Sequence, residues 1–327
     1  MTRDTSDTMN LILPCLVLLA GLAPGRAAGA GVEGERVSLL WENDAVVRTD
    51  RHYTQGARVS YLSRDNALPD WLKSVSGCLP ACGMNIGAQK FGLGAGQEIY
   101  TPKNLGSAAV ILDDRPYAAW LYGRLTLEQR GTGLGQVPMM DTLHLDLGVV
   151  GPEALGEQAQ DLAHHVDPRG WDNQLRTEPG IVLRCQRSLR FGIKDEGTGL
   201  GADFLPYAGA GLGNIFSGAS LGSTARFGFN VPNDFELHSD PQTLPLGLYA
   251  FAGAEGRWVA HNLFLDGNTF RESHSVDRIP FVWDFRAGAG IVAGPLEFMA
   301  SYVLRSPEFF GQHSYDQFGS ATVTFKF

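Results

Sequence analysis

Residues 321–327 read Ala-Thr-Val-Thr-Phe-Lys-Phe. Ala321, Val323, Phe325 and Phe327 fall on one side of an extended chain, and Thr322, Thr324 and Lys326 on the other. A period of two marks a strand with one apolar face. Working back, residues 296–304 set Leu296, Phe298, Ala300, Tyr302 and Leu304 against Glu297 and Ser301. Residues 281–291 set Phe281, Trp283, Phe285, Ala287, Ala289 and Ile291 against Asp284 and Arg286, and only a tight Ala293-Gly294-Pro295 turn separates the two segments. The same alternation recurs over 142–150, where Leu143, Leu145, Leu147 and Val149 oppose Thr142, His144 and Asp146. Apolar side chains on one face and ionisable ones on the other suit strands that meet lipid outside and line a polar barrel inside.

Read this way, the chain predicts twelve strands, over 36–43, 53–63, 91–100, 117–129, 141–150, 177–191, 203–211, 219–228, 247–258, 280–292, 294–304 and 316–327. An even count suits a single-chain bacterial barrel. A final amphipathic strand closing on Phe327 resembles the sorting strand of outer-membrane barrels. The fold expected is therefore all-β: a twelve-stranded antiparallel transmembrane β-barrel in the outer membrane of a Gram-negative bacterium, with one short extracellular helix. That helix is predicted over 153–166, with Pro152 at its first turn and Pro168 just beyond its end.

Residues 1–30 carry an apolar run from Met9 and then Ala27-Ala28-Gly29-Ala30, which reads as a signal peptide and leaves 31–327 for the barrel. The 41 glycines are scattered, as strand bends and tight turns require. A net charge of −9 argues against a nucleic-acid partner, which would favour a basic patch. Cys78 and Cys82 flank a turn-like Leu79-Pro80-Ala81 and are close enough for a small disulfide loop in an oxidising compartment. Cys185 is expected as a small buried or lipid-facing hydrophobe.

If both termini face the periplasm, the connections over 44–52, 101–116, 151–176, 212–218, 259–279 and 305–315 are extracellular. Nearly every unusual polar motif falls on that rim. Glu42-Asn43-Asp44 and Thr49-Asp50-Arg51-His52-Tyr53-Thr54-Gln55-Gly56 flank the first connection, and Asp113-Asp114-Arg115-Pro116-Tyr117 lies in the second. Gly151-Pro152-Glu153-Ala154 opens the third, which also holds the predicted helix and Gly170-Trp171-Asp172-Asn173-Gln174. Glu157, Gln160 and His164 share one helical face, and a histidine among such groups suits general-base work because its pKa lies near neutrality. Asn43, Asp44, Thr54, Asp114, Asp167 and Asp172 offer oxygen donors from several loops, a set suited to Ca²⁺ more than to zinc. There is no His-Glu-x-x-His, Gly-x-Ser-x-Gly or Walker motif.

In this order, Asn43-Asp44, Tyr53-Thr54-Gln55-Gly56, Ile99-Tyr100-Thr101-Pro102, Asp114-Arg115, residues 148–154, Gln160, Ala163-His164 and Ser306-Pro307-Glu308-Phe309 resemble the lipid A 3′-O-deacylases (the LpxR-type family). The resemblance covers most of the chain from Glu42 onward. It implies a hydrolase of lipid A acyl esters, with lipid A or lipopolysaccharide of the outer leaflet as partner, surrounding membrane lipid, and a monomeric state. The site it implies is His164 as the base for an attacking water, with Asn43, Asp44 and Thr54 beside it. Ca²⁺ would sit near Asn43 and Asp44, with Asp167 as a further candidate ligand. Lys103, Asp114, Arg115 and Trp171 are candidate substrate contacts. The chain departs from the family in offering only Lys103 where other members carry a basic run, and in lacking a clean carboxylate soon after the histidine. Two other readings remain open: a non-catalytic barrel acting as a small channel or surface-interaction protein, and a barrel phospholipase with a serine nucleophile.

Overall fold

The computed structural model describes residues 34–44, 52–78, 83–163, 168–235 and 246–327. The predicted signal peptide and the Cys78–Cys82 pairing lie outside the described residues. One antiparallel sheet closes on itself as a twelve-stranded barrel. Its strands are β1 (Arg36–Asn43), β2 (His52–Leu62), β3 (Asn85–Thr101), β4 (Ala118–Thr132), β5 (Pro138–Val150), β6 (Glu178–Leu189 continuing as Phe191–Lys194), β7 (Leu200–Gly213), β8 (Phe216–Phe229), β9 (Gly247–Asn262), β10 (Phe281–Ala293), β11 (Leu296–Arg305) and β12 (Asp316–Lys326). Each strand pairs with its sequence neighbours, and β1 pairs with β12 over the register Arg36↔Lys326 to Asn43↔Gly319.

The break in β6 has a local cause. Ser188↔Tyr207 and Phe191↔Phe204 keep one register across it, so no residue is inserted. Pro206 falls in the gap and has no N–H to donate. Arg190 on the other strand turns its own N–H to the Pro138 carbonyl at 3.0 Å.

The alternation seen in the sequence sorts the wall as expected. Thr322, Thr324 and Lys326 face inward, and so do Asp284 and Arg286, while the opposite parity carries the exposed Phe281, Phe285, Phe298 and Tyr302. Cys185 has the parity of the exposed Ile181 and Leu183, which puts it on the outer face. Inward charges are paired: Arg124–Asp146 at 2.5 Å, Arg226–Asp203 at 2.7 Å and Arg305–Asp284 at 2.9 Å. Pairing is what makes such charges tolerable away from bulk water. Between the mouths the lumen holds a polar cavity of about 520 Å³. No helix among the described residues is long and apolar enough to cross a membrane.

The helical content differs from the expectation of a single element. Besides the rim helix there are α1 (Asp70–Cys78), in the connection after β2, and α3 (Leu263–Asp266), after β9. The rim helix itself is shorter than 153–166. A 3-10 turn, Pro152–Ala154, comes first, Leu155 caps it in the left-handed region (φ 58°), and only then does α2 run over Gly156–Ala163. Both missed helices are short, and Leu263-Phe264-Leu265 is apolar throughout, so it carries no amphipathic period to detect.

Candidate functional site

The rim opposite the termini carries the site. Asn43 ends β1, and alternation gives it the outer parity of Leu39 and Trp41 rather than the inward parity of Arg36 and Ser38, whose side chains reach Glu128 and Thr324. Thr54 lies at a β-bulge, where the β2–β3 register shifts between Tyr53 and Gln55. Such bulges re-aim side chains. Thr54 Oγ1 meets Thr101 Oγ1 at 2.7 Å, its carbonyl accepts from the Asp44 amide at 3.4 Å, and both threonines are wholly buried. Asn43 and Asp44 are also buried, at 3% and 1% exposure.

A layer over the outside of β3 and β4 completes this corner. Ile99 and Ala119, on the outer parity of their strands, pack with Ala154, Tyr117, Leu105 and Trp171 in one apolar cluster. Gln97 Nε2 donates to the Ala154 carbonyl at 2.6 Å, pinning the 3-10 turn to the wall. Trp171 Nε1 donates to Gln160 Oε1 at 2.8 Å, which fixes the amide on α2. Two glycines permit this closeness. A Cβ on Gly156 would lie 2.4 Å from the Ala119 Cβ, and one on Gly151 (φ 103°) would lie 2.6 Å from the Thr177 nitrogen. The sequence registers Gly151 only within a motif and Gly156 only within the predicted helix, because the contacts that demand them come from residues remote in the chain.

Next to Thr54, His52 starts β2 in the left-handed region (φ 65°) and is buried. Its Nδ1 lies 2.6 Å from Asp316 Oδ1 and its Nε2 3.5 Å from Asp114 Oδ1, and its ring meets Phe309 edge-on at 5.5 Å. Asp114 also accepts from the Lys103 and Arg115 amides, both at 2.8 Å, while His274 Nε2 donates to its carbonyl at 2.7 Å. Burial alone would raise the Asp114 carboxyl, but these donors hold it below its ordinary value. Arg115 is 1% exposed, stacks over Tyr100 and reaches Glu308 at 3.3 Å. Burial pushes Glu308 up, and Arg115 and Arg305 more than reverse it.

The structure therefore brings Asn43, Asp44 and Thr54 into one buried corner and leaves Lys103 exposed near it on the loop after β3. His164 and Asp167 lie outside the described residues, immediately after α2. Asp114 and Trp171 spend their polar atoms on the fold, as carboxylate cap and indole donor, while Arg115 gives one guanidinium nitrogen to Glu308 and keeps Nε and Nη2 buried without a hydrogen-bond partner. Asp172 is exposed, and among the described residues no three His, Cys, Asp or Glu side chains gather as a metal cluster. Of the described residues in the oxygen set expected from sequence, the structure brings Asn43, Asp44 and Thr54 together and leaves Asp114 and Asp172 elsewhere. Sequence reading did not single out His52, Thr101 or Asp316 as site residues. The His52–Asp316 pair spans 264 positions and exists only because β1 closes on β12.

A profile of the family described as "Outer membrane protein LpxR" matches residues 11–327. Among solved structures, LpxR from Salmonella typhimurium is similar over 89% of this chain and 100% of that one, at 24% identity and a TM-score of 0.69. The β domain of the Bordetella autotransporter BrkA covers 91% of this chain and 100% of its own, at 11% identity and a TM-score of 0.46. No curated protein matches the chain.

Proposed function

Because this chain belongs to the LpxR family of outer membrane proteins, whose kind of function is lipid A deacylation, we propose that it hydrolyses a 3′-linked acyl ester of lipid A by means of a histidine-activated water. The observation that carries this reading is the outward parity of the buried corner. Asn43 and the Thr54–Thr101 pair sit at the upper edge of the outer face, and Thr101 ends the β3 strand that carries Ile99 into the layer over β3 and β4. An ester held in the leaflet reaches such a site from the side, without passing through the lumen. A soluble substrate would have no use for a site on the face that meets lipid.

In this mechanism His164 takes a proton from water as that water attacks the ester carbonyl, then returns it to the departing sugar oxygen. Gln160 on α2 precedes it by four residues in the sequence, and Trp171 holds that glutamine still. Asn43 and Asp44 offer an amide and a carboxylate oxygen, the donor types a hard cation takes, with Asp167 as a further candidate. A calcium ion held there would supply positive charge for the oxyanion that develops on the ester. Thr54, fixed by Thr101, accepts from the Asp44 amide and so keeps Asp44 against β2. Lys103, on the exposed loop after β3, is the proposed contact for a lipid A phosphate.

The test is mass spectrometry of lipid A from a Gram-negative host producing the protein or its His164→Ala variant. Loss of the 3′-acyloxyacyl mass, abolished in the variant and by chelating calcium, supports the reading. Unchanged lipid A with folded protein in the outer membrane and calcium present rejects it. Removal of a general base costs about 10²–10⁴-fold in rate.

A further inference from the structure

His52 looks at first like a second candidate base, since Asp316 orients its Nδ1 at 2.6 Å as a carboxylate orients a catalytic histidine. The other nitrogen rules that out. Nε2 faces Asp114 Oδ1 at 3.5 Å, and the residue is 3% exposed, so a carboxylate stands on each side of the ring and no lone pair is turned to a water. What the ring does is join elements. Asp316 opens β12, and Asp114 caps the loop after β3 at Lys103 and Arg115. His274 ties the loop after β9 to the same aspartate, and Phe309 brings in the loop after β11. All four meet at the first residue of β2, two positions before Thr54, in a left-handed conformation that a histidine keeps only when its surroundings hold it there.

We infer that His52 is a positioning residue of the site: bridging Asp114 and Asp316, it fixes the start of β2 and so the place of Thr54 and of Asp44, whose amide donates to the Thr54 carbonyl. For its activity readout this inference rests on the hydrolase reading above. The charged groups that face the ring are Asp316 from β12 and Asp114 and Arg115 from the loop after β3, with Glu308 paired to Arg115 behind them. The two carboxylates take the two ring nitrogens, so the ring ties β12 to the loop after β3.

The test uses the full chain in detergent micelles, as wild type, His52→Gln, His52→Arg and Asp114→Asn. In His52→Gln, turnover of lipid A falls about tenfold or more, the scale at which misplaced site groups are felt. Trypsin cleavage after the exposed Lys103 speeds up in the same variant, because the loop has lost its tie. His52→Arg keeps a cation with donors for both carboxylates and recovers part of both losses. Heat-modifiable gel migration shows which variants fold. If His52→Gln does not, the isosteric Asp114→Asn decides by the same two readouts. Turnover within about twofold of wild type in the folded Gln or Asn variant, or an Arg variant as impaired as Gln, overturns the inference. A wild type inactive on lipid A counts against the hydrolase reading alone. Equal trypsin rates in wild type and the deciding variant then overturn the bridge by itself.

Discussion

At the mouth opposite the termini, Leu263, Phe264 and Leu265 of α3 are all but fully buried, and Phe264 stacks on Tyr100 at 4.2 Å beside the Trp120–Tyr122 stack. At the terminal mouth Arg36, Arg226 and Lys326 converge on Asp234, at 3.6, 3.8 and 4.0 Å, while Lys326 also holds Glu297 at 2.9 Å and Arg130 holds Asp65. One end is plugged with apolar rings and the other with an ion-pair network that half-exposed groups take part in. The chemistry follows from what each end must support. The candidate site lies outside the wall at the first end, so the strands carrying Asn43, Thr54 and Thr101 need a rigid filling behind them. Close-packed side chains supply rigidity through dispersion and excluded water. Nothing comparable is asked of the terminal end, where water can share the solvation of the charges.

The largest expected effect that separates the two mouths comes from Phe264→Ala. It removes a buried ring from the cluster of Trp120, Leu175, Val182 and Ile215, and should cost about 3–5 kcal/mol. Urea unfolding of the barrel in micelles measures it. A loss below about 1 kcal/mol would mean the filling relaxes around the gap, and the contrast in rigidity would fall.

That contrast was only half legible in the sequence. All twelve strands follow from alternation and turn residues, because a lipid-facing wall imposes a period of two on every one of them. The polar rim motifs were legible for the same reason, since strand parity assigns each connection to an end. The plug was not, because Leu263-Phe264-Leu265 has no period and its neighbours Trp120 and Ile215 are remote in the chain. Nor was the His52 bridge, whose partners Asp114 and Asp316 meet it only after the barrel closes. Asp114 and Arg115 drew notice as a charged motif in a loop, yet the structure uses them internally, and no local pattern tells a surface pair from a buried cap.

Gly156→Ala sharpens the comparison within the rim itself. The added methyl would lie 2.4 Å from the Ala119 Cβ and 2.6 Å from the Trp171 ring, an overpacking worth about 1–3 kcal/mol that is partly offset by alanine's better helix propensity. Because α2 lies outside the wall, the strain should push the helix outward and leave the barrel's unfolding midpoint nearly unchanged. Lipid A turnover should drop about tenfold with it. A drop in the midpoint with turnover intact would show that the outer layer belongs to the barrel's stability more than to the site.

Asp234→Asn probes the terminal mouth and should be the smallest of the three. Burial pushes this carboxyl up, but Lys326, Arg36, Arg226 and Arg130 outweigh it and hold it at about 2. A depressed carboxyl contributes stability in full above its unfolded value of about 3.9 and loses it as pH falls through the folded value. The wild type should therefore weaken between about pH 4 and pH 2 by a component that Asp234→Asn lacks. At neutral pH the side chain is 35% exposed, so solvent screens its ion pairs and the substitution should cost on the order of 1 kcal/mol. The remaining pairs, Arg226–Asp203 and Lys326–Glu297, stay in place to share the load. A cost as large as that of Phe264→Ala would show that the terminal network is as tightly coupled as the apolar plug, and the two mouths would then differ in composition but not in rigidity.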